Sequence, residues 1–195
     1  MNHKKKNVNP VKLNDDRLDK RASKYLIPEE LETDRMILRM FRLNDWKDIH
    51  EYYADPECAK YTSRRPSSES ESWQKMAALL GHWQLRNYGS YAMEEKELKR
   101  VIGVVGLDYP NDWPEPEIQW GVVRKFWGMG YASEGVRAVK RMVSQYLPQI
   151  SLISLIHPEN LNSTNLAKAV GASFEREYYF RDDTWHIYRH SSSEF

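Results

Sequence analysis

One cysteine, no metal-ligating histidine pattern and no long apolar run: each shortage removes a class of protein. With Cys58 alone among 195 residues, the chain has no intrachain disulfide and no cysteine-based zinc site. The six histidines show neither His-Glu-x-x-His nor any other metal spacing, so no metal is expected. No stretch approaches the roughly 18 apolar residues that a membrane helix needs. Met1 to Lys24 is polar almost throughout and lacks the apolar run of a signal peptide, which makes a cytoplasmic setting without membrane contact the simplest expectation. The phosphate-binding run G-x-x-x-x-G-K-[ST] is absent, and so is any internal repeat.

What is present fits one globular domain with tails. A chain of 195 residues with 41% hydrophobic content can bury a core without staples. Its charge of +1 is unevenly spread: residues 1–24 hold eight Lys and Arg against three Asp. This start reads as a disordered, solubilising arm, with contact to nucleic acid or a ribosome as the alternative that its charge permits. The remainder, mildly acidic, leans towards a cationic substrate. The expected domain covers residues 25–190, with 191–195 as a short end. Seven Trp and twelve Tyr are many for this length, and aromatics at that density line a core, a cleft or an interface.

Periodicity places the elements. Met36 to Phe41 alternates like a strand, and Asn44 or Asp45 can cap a helix running to about Ala54. Ser68 or Ser70 starts a second helix that ends near Asn87, followed by strands at 90–95 and 100–107. Residues 117–123 form a strand that enters Trp127-Gly-Met-Gly-Tyr-Ala. Ala132, Val136, Val139, Val143 and Tyr146 then lie on one face of a helix over 132–147, closed by Pro148. The apolar run 150–156 suits a strand covered on both faces, which completes a βαβ unit. Asn162 or Ser163 can cap a short helix that Gly171 terminates, and 174–180 with 184–189 read as a hairpin around Asp182-Asp183.

Strand, glycine loop and helix at 117–147 carry the chemistry. Gly128 and Gly130 leave backbone N–H groups uncovered at a helix start, where the helix dipole favours an anion. A nucleotide, a dinucleotide or coenzyme A would fit such a site. Ser133 stands where the dinucleotide fingerprint needs its third glycine, and the unit comes late in the chain, which argues against a Rossmann domain.

These residues resemble the Gcn5-related N-acetyltransferase (GNAT) superfamily, in the branch that acetylates the N-termini of ribosomal proteins. The likeness covers about residues 31–189. It rests on Glu32-Thr-Asp-Arg-Met-Ile-Leu-Arg, on Glu117 to Glu134, and on Glu159-Asn-Leu-Asn-Ser-Thr-Asn-Leu-Ala-Lys-Ala-Val-Gly-Ala. The resemblance implies an α/β (α+β) fold: a mixed, mostly antiparallel sheet with one splayed parallel strand pair and helices on both faces. It implies acetyl-CoA as co-substrate and an amine as acceptor, which a protein N-terminus or a small amine would supply. The pyrophosphate would lie on the amides of Gly128, Met129, Gly130, Tyr131, Ala132 and Ser133. Backbone groups at Val122 and Val123 would hold the pantetheine arm and the developing oxyanion, with Asn160, Ser163 and Asn165 facing the coenzyme from the other side. Trp127 stands where the superfamily has a polar residue, so its side chain takes no phosphate contact.

Acetylation of an amine needs a proton acceptor, an oxyanion donor and a proton for the thiolate. Glu117 and Glu177 are the candidate bases, each weighed against a plain surface role. Ser163 is the candidate acid, weighed against helix capping, because the stretch Leu166 to Val170 has no tyrosine. Glu134, inside the helix after the loop, reads as structural. A non-catalytic acyl-CoA sensor, or a module bound to ribosome or RNA, is the rival function on the same scaffold.

Overall fold

The computed structural model describes residues 24–191. Residues 1–23 and 192–195, which hold nearly all of the basic arm and the C-terminal end, lie outside them. Lys24, counted with the arm in the sequence, belongs to the domain: its Nζ donates to Gln84 Oε1 at 2.6 Å, and the next backbone bond, Leu26 N–H to Asn87 O, is 2.9 Å.

In chain order the elements are β1 (Glu30–Glu32), β2 (Met36–Arg39), α1 (Trp46–Tyr53), α2 (Pro56–Ala59), α3 (Glu69–Arg86), β3 (Ser90–Glu95), β4 (Arg100–Asp108), β5 (Glu117–Val122), α4 (Tyr131–Tyr146), β6 (Ile153–Ile156), α5 (Leu161–Ala169), β7 (Ala172–Phe180) and β8 (Asp183–His190). The eight strands form one sheet in the order β1-β2-β3-β4-β5-β6-β8-β7. Every neighbouring pair is antiparallel except β5 and β6. That is the mixed sheet with one parallel pair that the resemblance implied.

Helix ends follow their local chemistry. Ser68 accepts from Glu71 N–H while Glu71 reaches back to the Ser68 amide, a reciprocal cap that starts α3; Asn87 ends it at φ 63°. The stripe read on α4 is real at its centre, where Val136, Val139 and Val143 are buried in one cluster with Ile102, Val105 and Ile118. Burying each valine contributes about 1.5–3 kcal/mol. α1 and the first half of α3 pack elsewhere, with Ile49 and Met76 joining Ala92, Val101 and Val104 in a second cluster.

Two boundaries differ from the sequence reading. The strand expected over 150–156 begins only at Ile153, because the Ile150 N–H turns back to Leu147 O at 2.9 Å and the ladder starts where Ile153 N–H meets Pro116 O at 3.1 Å. The cap of α5 is neither Asn162 nor Ser163. Asn160 caps it, its Oδ1 accepting from Ser163 N–H at 3.2 Å.

Candidate active site

β5 and β6 are in register at one pair, Glu117 with Ile153, and then part. Further along, β6 pairs with β8 and β5 with β4, which leaves a gap in the middle of the sheet. Backbone alternation decides which groups face it. Val123 N–H donates to Ile102 O on β4 at 2.9 Å, so every second residue from it points to β4, and Trp120 and Val122 turn their N–H groups to the gap. This corrects the expectation for Val123. Its N–H is spent on β4 and its C=O accepts from Phe126 N–H at 2.9 Å, so it has no backbone group to offer. The Val122 carbonyl is occupied too, by the Trp127 indole N–H at 2.6 Å, so the Val122 amide is the group left facing the gap.

Side chains replace the missing ladder bonds. Ser154 Oγ donates to Ile118 O at 2.7 Å, and Leu155 N–H donates to Glu117 Oε2 at 3.2 Å. The second bond fixes the height of the carboxyl. Leu155 follows Ile153 by two residues in a parallel register, so the Glu117 carboxyl lies beside the level of Gln119, one residue short of Trp120. Without that reach Glu117 and Val122 would be separated by roughly 16 Å at 3.3 Å per residue, too far to serve one atom.

At the far end of β5 the chain passes through Gly128 at φ 74° and Gly130 at φ 83° into α4. Both sit in the left-handed region that side chains rarely adopt, and Gly130 is the residue that caps the helix. A Cβ on Gly128 would meet nothing within 4 Å, and one on Gly130 only Arg35 and Ser133 side-chain atoms at 3.4 and 3.9 Å. The glycines are therefore needed for their backbone angles rather than for room. Arg35 holds the loop: it donates to Met129 O at 2.9 Å, pairs with Glu134, and lies 4.2 Å from the centre of the Tyr131 ring. Glu134 also accepts from Thr33 Oγ1 at 2.7 Å and Arg35 N–H at 2.9 Å, so it ties α4 to the start of β2 in a structural role.

Two cavities flank the gap. The larger, about 870 Å³, is lined by Val122, Gly128, Gly130, Tyr131, Ala132, Ser133, Asn160, Ser163 and Asn165, among others. The smaller, about 530 Å³, holds Glu117 and Asp108. Tyr52, Tyr61, Thr62, Trp120, Asn160 and Ser163 line both, so the cavities meet there. Ser163 is half-buried at this junction, and its hydroxyl has no hydrogen-bond partner among the described residues, the cap being made by Asn160. Of the expected residues, Val123 and Met129 line neither cavity; the Met129 side chain is exposed. Glu177 also stands apart. It lies on β7 with 71% of its side chain in solvent and His186 Nε2 3.8 Å away, and lines neither cavity. Of the two candidate bases, the cavities therefore hold Glu117 and leave Glu177 outside.

Glu117 sits in the opposite environment. Burial, and then the neighbouring Asp108 charge, push its carboxyl up to about 8. Asp108 is its cross-strand partner in the β4–β5 register. Asp108 in turn lies 3.4 Å from His82 Nε2. Tyr109 N–H donates to that Nε2 at 2.9 Å, so the nitrogen carries no proton, and Nδ1 donates to Tyr88 O at 2.9 Å. Burial raises the Asp108 carboxyl too, with His82 and the Tyr109 amide pulling the other way.

Sequence reading missed Asp108, Trp120 and Tyr52. The signal for Tyr52 was Gly121, where a Cβ would come within 2.5 Å of the Tyr52 hydroxyl. Only a glycine lets that ring lie on β5, but nothing in the sequence says which ring it is.

The family model described as an acetyltransferase (GNAT) domain matches residues 35–173. The N-acetyltransferase p20 of Bacillus licheniformis is 29% identical over 161 residues, covering 79% of this chain and 86% of its own. Among solved structures, an acetyltransferase from Agrobacterium tumefaciens superposes with a TM-score of 0.75 at 22% identity, over 88% of this chain and 99% of that one. The ribosomal-protein-S5-alanine acetyltransferase of Vibrio fischeri gives 0.68 at 14%, over 85% and 97%. Among the described residues no helix is long and apolar enough to cross a membrane. A sheet opened around one parallel pair, a glycine-capped helix at its mouth and a matched domain spanning most of the chain lead to one conclusion: the protein belongs to the GNAT acetyltransferase family.

Proposed function

We propose that the protein transfers the acetyl group of acetyl-CoA to the nitrogen of a primary amine in one ternary complex. The observation that supports this most is the meeting of the two cavities at Trp120 and Ser163, one running to the amides of α4 and the other to Glu117. The larger cavity suits the coenzyme. The first-turn amides of α4, from Gly130 to Ser133, would face its pyrophosphate, the Val122 amide the pantetheine arm, and Asn160 and Asn165 its other side.

When bound, the thioester supplies an electrophilic carbonyl carbon and a thiolate leaving group. The Trp120 amide, which faces the gap at the junction, is the donor for the carbonyl oxygen as it gains charge. It takes over the oxyanion role first assigned to Val122 or Val123, because only Trp120 reaches both cavities. Glu117 receives the proton that the amine loses as the C–N bond forms, directly or through water. A carboxyl held near 8 is well matched to that task, since a stronger acid would not keep the proton. As the C–S bond breaks, Ser163 Oγ relays a proton to sulfur and regains one from solvent, to which Glu117 releases the proton it took from the amine. No side chain becomes acylated in this sequence.

The test is thiol release from acetyl-CoA against a panel of primary amines, with binding of acetyl-CoA followed separately by thermal shift. Release that depends on the amine is the expected result. Binding without release for any amine sinks the reading and leaves an acyl-CoA sensor.

A further inference from the structure

The smaller cavity carries information about the acceptor beyond its being an amine. Its walls are rings: Tyr53, Tyr61, Trp113, Phe180 and Trp185 all face it. They come from three separate segments and brace one another. Trp113 meets Phe180 edge-on at 5.1 Å between centroids, and His157 lies between Tyr61 at 5.2 Å and Trp185 at 5.9 Å. The outer end is laced by charge. Arg64 pairs with Asp183, and Arg181 pairs with Asp112 at 2.8 Å while covering Trp113 at 4.6 Å and Phe180 at 5.0 Å. These contacts join residues after α2, the 109–116 loop and the β7–β8 turn across the opening. At its inner end lie two carboxyls, Glu117 and Asp108, cross-strand partners in the β4–β5 register, with His82 Nε2 3.4 Å from Asp108.

We propose that the acceptor is a small primary amine with a flat aromatic or similarly apolar body, held ring against ring with its nitrogen towards Glu117 and Asp108, and not a polypeptide N-terminus. The inference rests on the transfer reading given above and narrows its acceptor. A volume of about 530 Å³ is that of a small-molecule site. Aromatic walls offer stacking to a flat body and little to a polypeptide, whose amides need hydrogen-bond partners. Two neighbouring carboxyls favour a ligand whose nitrogen end can carry positive charge, since a cation there would ease their ionisation.

The experiment compares kcat/KM at saturating acetyl-CoA for phenethylamine, tyramine, n-butylamine, spermidine and a hexapeptide with a free N-terminal alanine, using the full chain. The expected order puts both aromatic amines about tenfold or more above n-butylamine, and the peptide below it. Trp185→Ala should remove most of that advantage, while its KM for acetyl-CoA, bound in a cavity that Trp185 does not line, reports that the variant is folded. Trp185→Phe should restore the preference. A thermal-shift arm with tyramine or the peptide added to the CoA complex reads binding without turnover, and only tyramine should stabilise. Equal kcat/KM across the amines, a peptide as the best substrate, or no shift with tyramine would each overturn the inference while leaving amine acetylation standing. Absence of thiol release with every amine, alongside a tyramine shift, would count against the transfer reading and in favour of the binding inference.

Discussion

The two cavities that meet at Ser163 are built from different materials. The larger rests in good part on backbone, the amides at the start of α4 and the unpaired edge of β5, beside side chains such as Tyr61, Phe126, Trp127 and Asn165. The smaller is made of side chains, rings and carboxyls brought together from α1, the 109–116 loop, β5, β6 and the β7–β8 hairpin. Backbone amides are the same whatever residue carries them, so the first cavity recognises a ligand part that need not vary. Side chains differ at every position, so the second can be remade without disturbing the first. Labour is thereby divided: substitutions at the floor and walls of the smaller cavity alter chemistry and acceptor choice, while changes of backbone angle at the glycine loop act first on the co-substrate.

The largest expected effect tests the floor. Glu117→Gln should lower kcat/KM at neutral pH by about 10²-fold or more, the usual scale for a lost proton acceptor. In the wild type, activity should climb with pH through about 8, since only the ionised carboxyl accepts a proton, and Glu117→Gln should lose that inflection. Stability provides an independent check. The carboxyl is raised in the folded state, so its contribution is full below the ordinary carboxylate range and is lost as pH rises through about 8. Glu117→Gln should therefore melt higher than wild type at pH 9 and lose that advantage at pH 5. A variant with wild-type rate across the pH range would move the base elsewhere.

Gly130→Val comes next and tests the backbone side. At φ 83° a branched residue is strained, and relieving the strain turns the first amides of α4 away from their common direction. Acetyl-CoA affinity should fall roughly ten- to a hundredfold by calorimetry, with the circular dichroism of a folded chain. Unchanged affinity would place the pyrophosphate off this helix. Ser163→Ala should reduce kcat about tenfold with little change in acetyl-CoA binding, because a thiolate departs without much help. The smallest effects belong to Met129→Ala and Glu177→Gln. Both should stay within twofold of wild type in steady-state kinetics, the first because only its backbone borders the loop and the second because it lies in solvent. A defect in either would blur the contrast drawn between the two cavities.

Those same residues show how far the sequence could be read. The strand, glycine loop and helix at 117–146 were legible because every signal is local: two glycines before an amphipathic stripe state both the turn and the buried face. Val123 was misassigned because its role depends on which edge of β5 faces β4, and that parity is set by a cross-strand register. The place of Glu177 outside both cavities was hidden for a related reason, since the direction of a side chain on β7 depends on how the hairpin docks against β6. Asp108 and Tyr52 reach the site from 9 and 65 residues before Glu117 and carry no mark of it in sequence. Asn160 outcompeted two plausible caps by one turn, a choice fixed by where β6 lets the chain go.

Sheet edges ordinarily lie at the rim of a protein, where their unpaired groups invite other chains to add on and aggregate. Here an edge of that kind sits in the middle of eight strands, between β5 and β6. Its position inside the sheet, with β4 beyond β5 and β8 beyond β6, leaves no outer rim there for a neighbouring protein's strand to extend. A slender molecule with amides of its own can still enter and pair. The place where this sheet is least finished is therefore also the place where it is safest to leave it so.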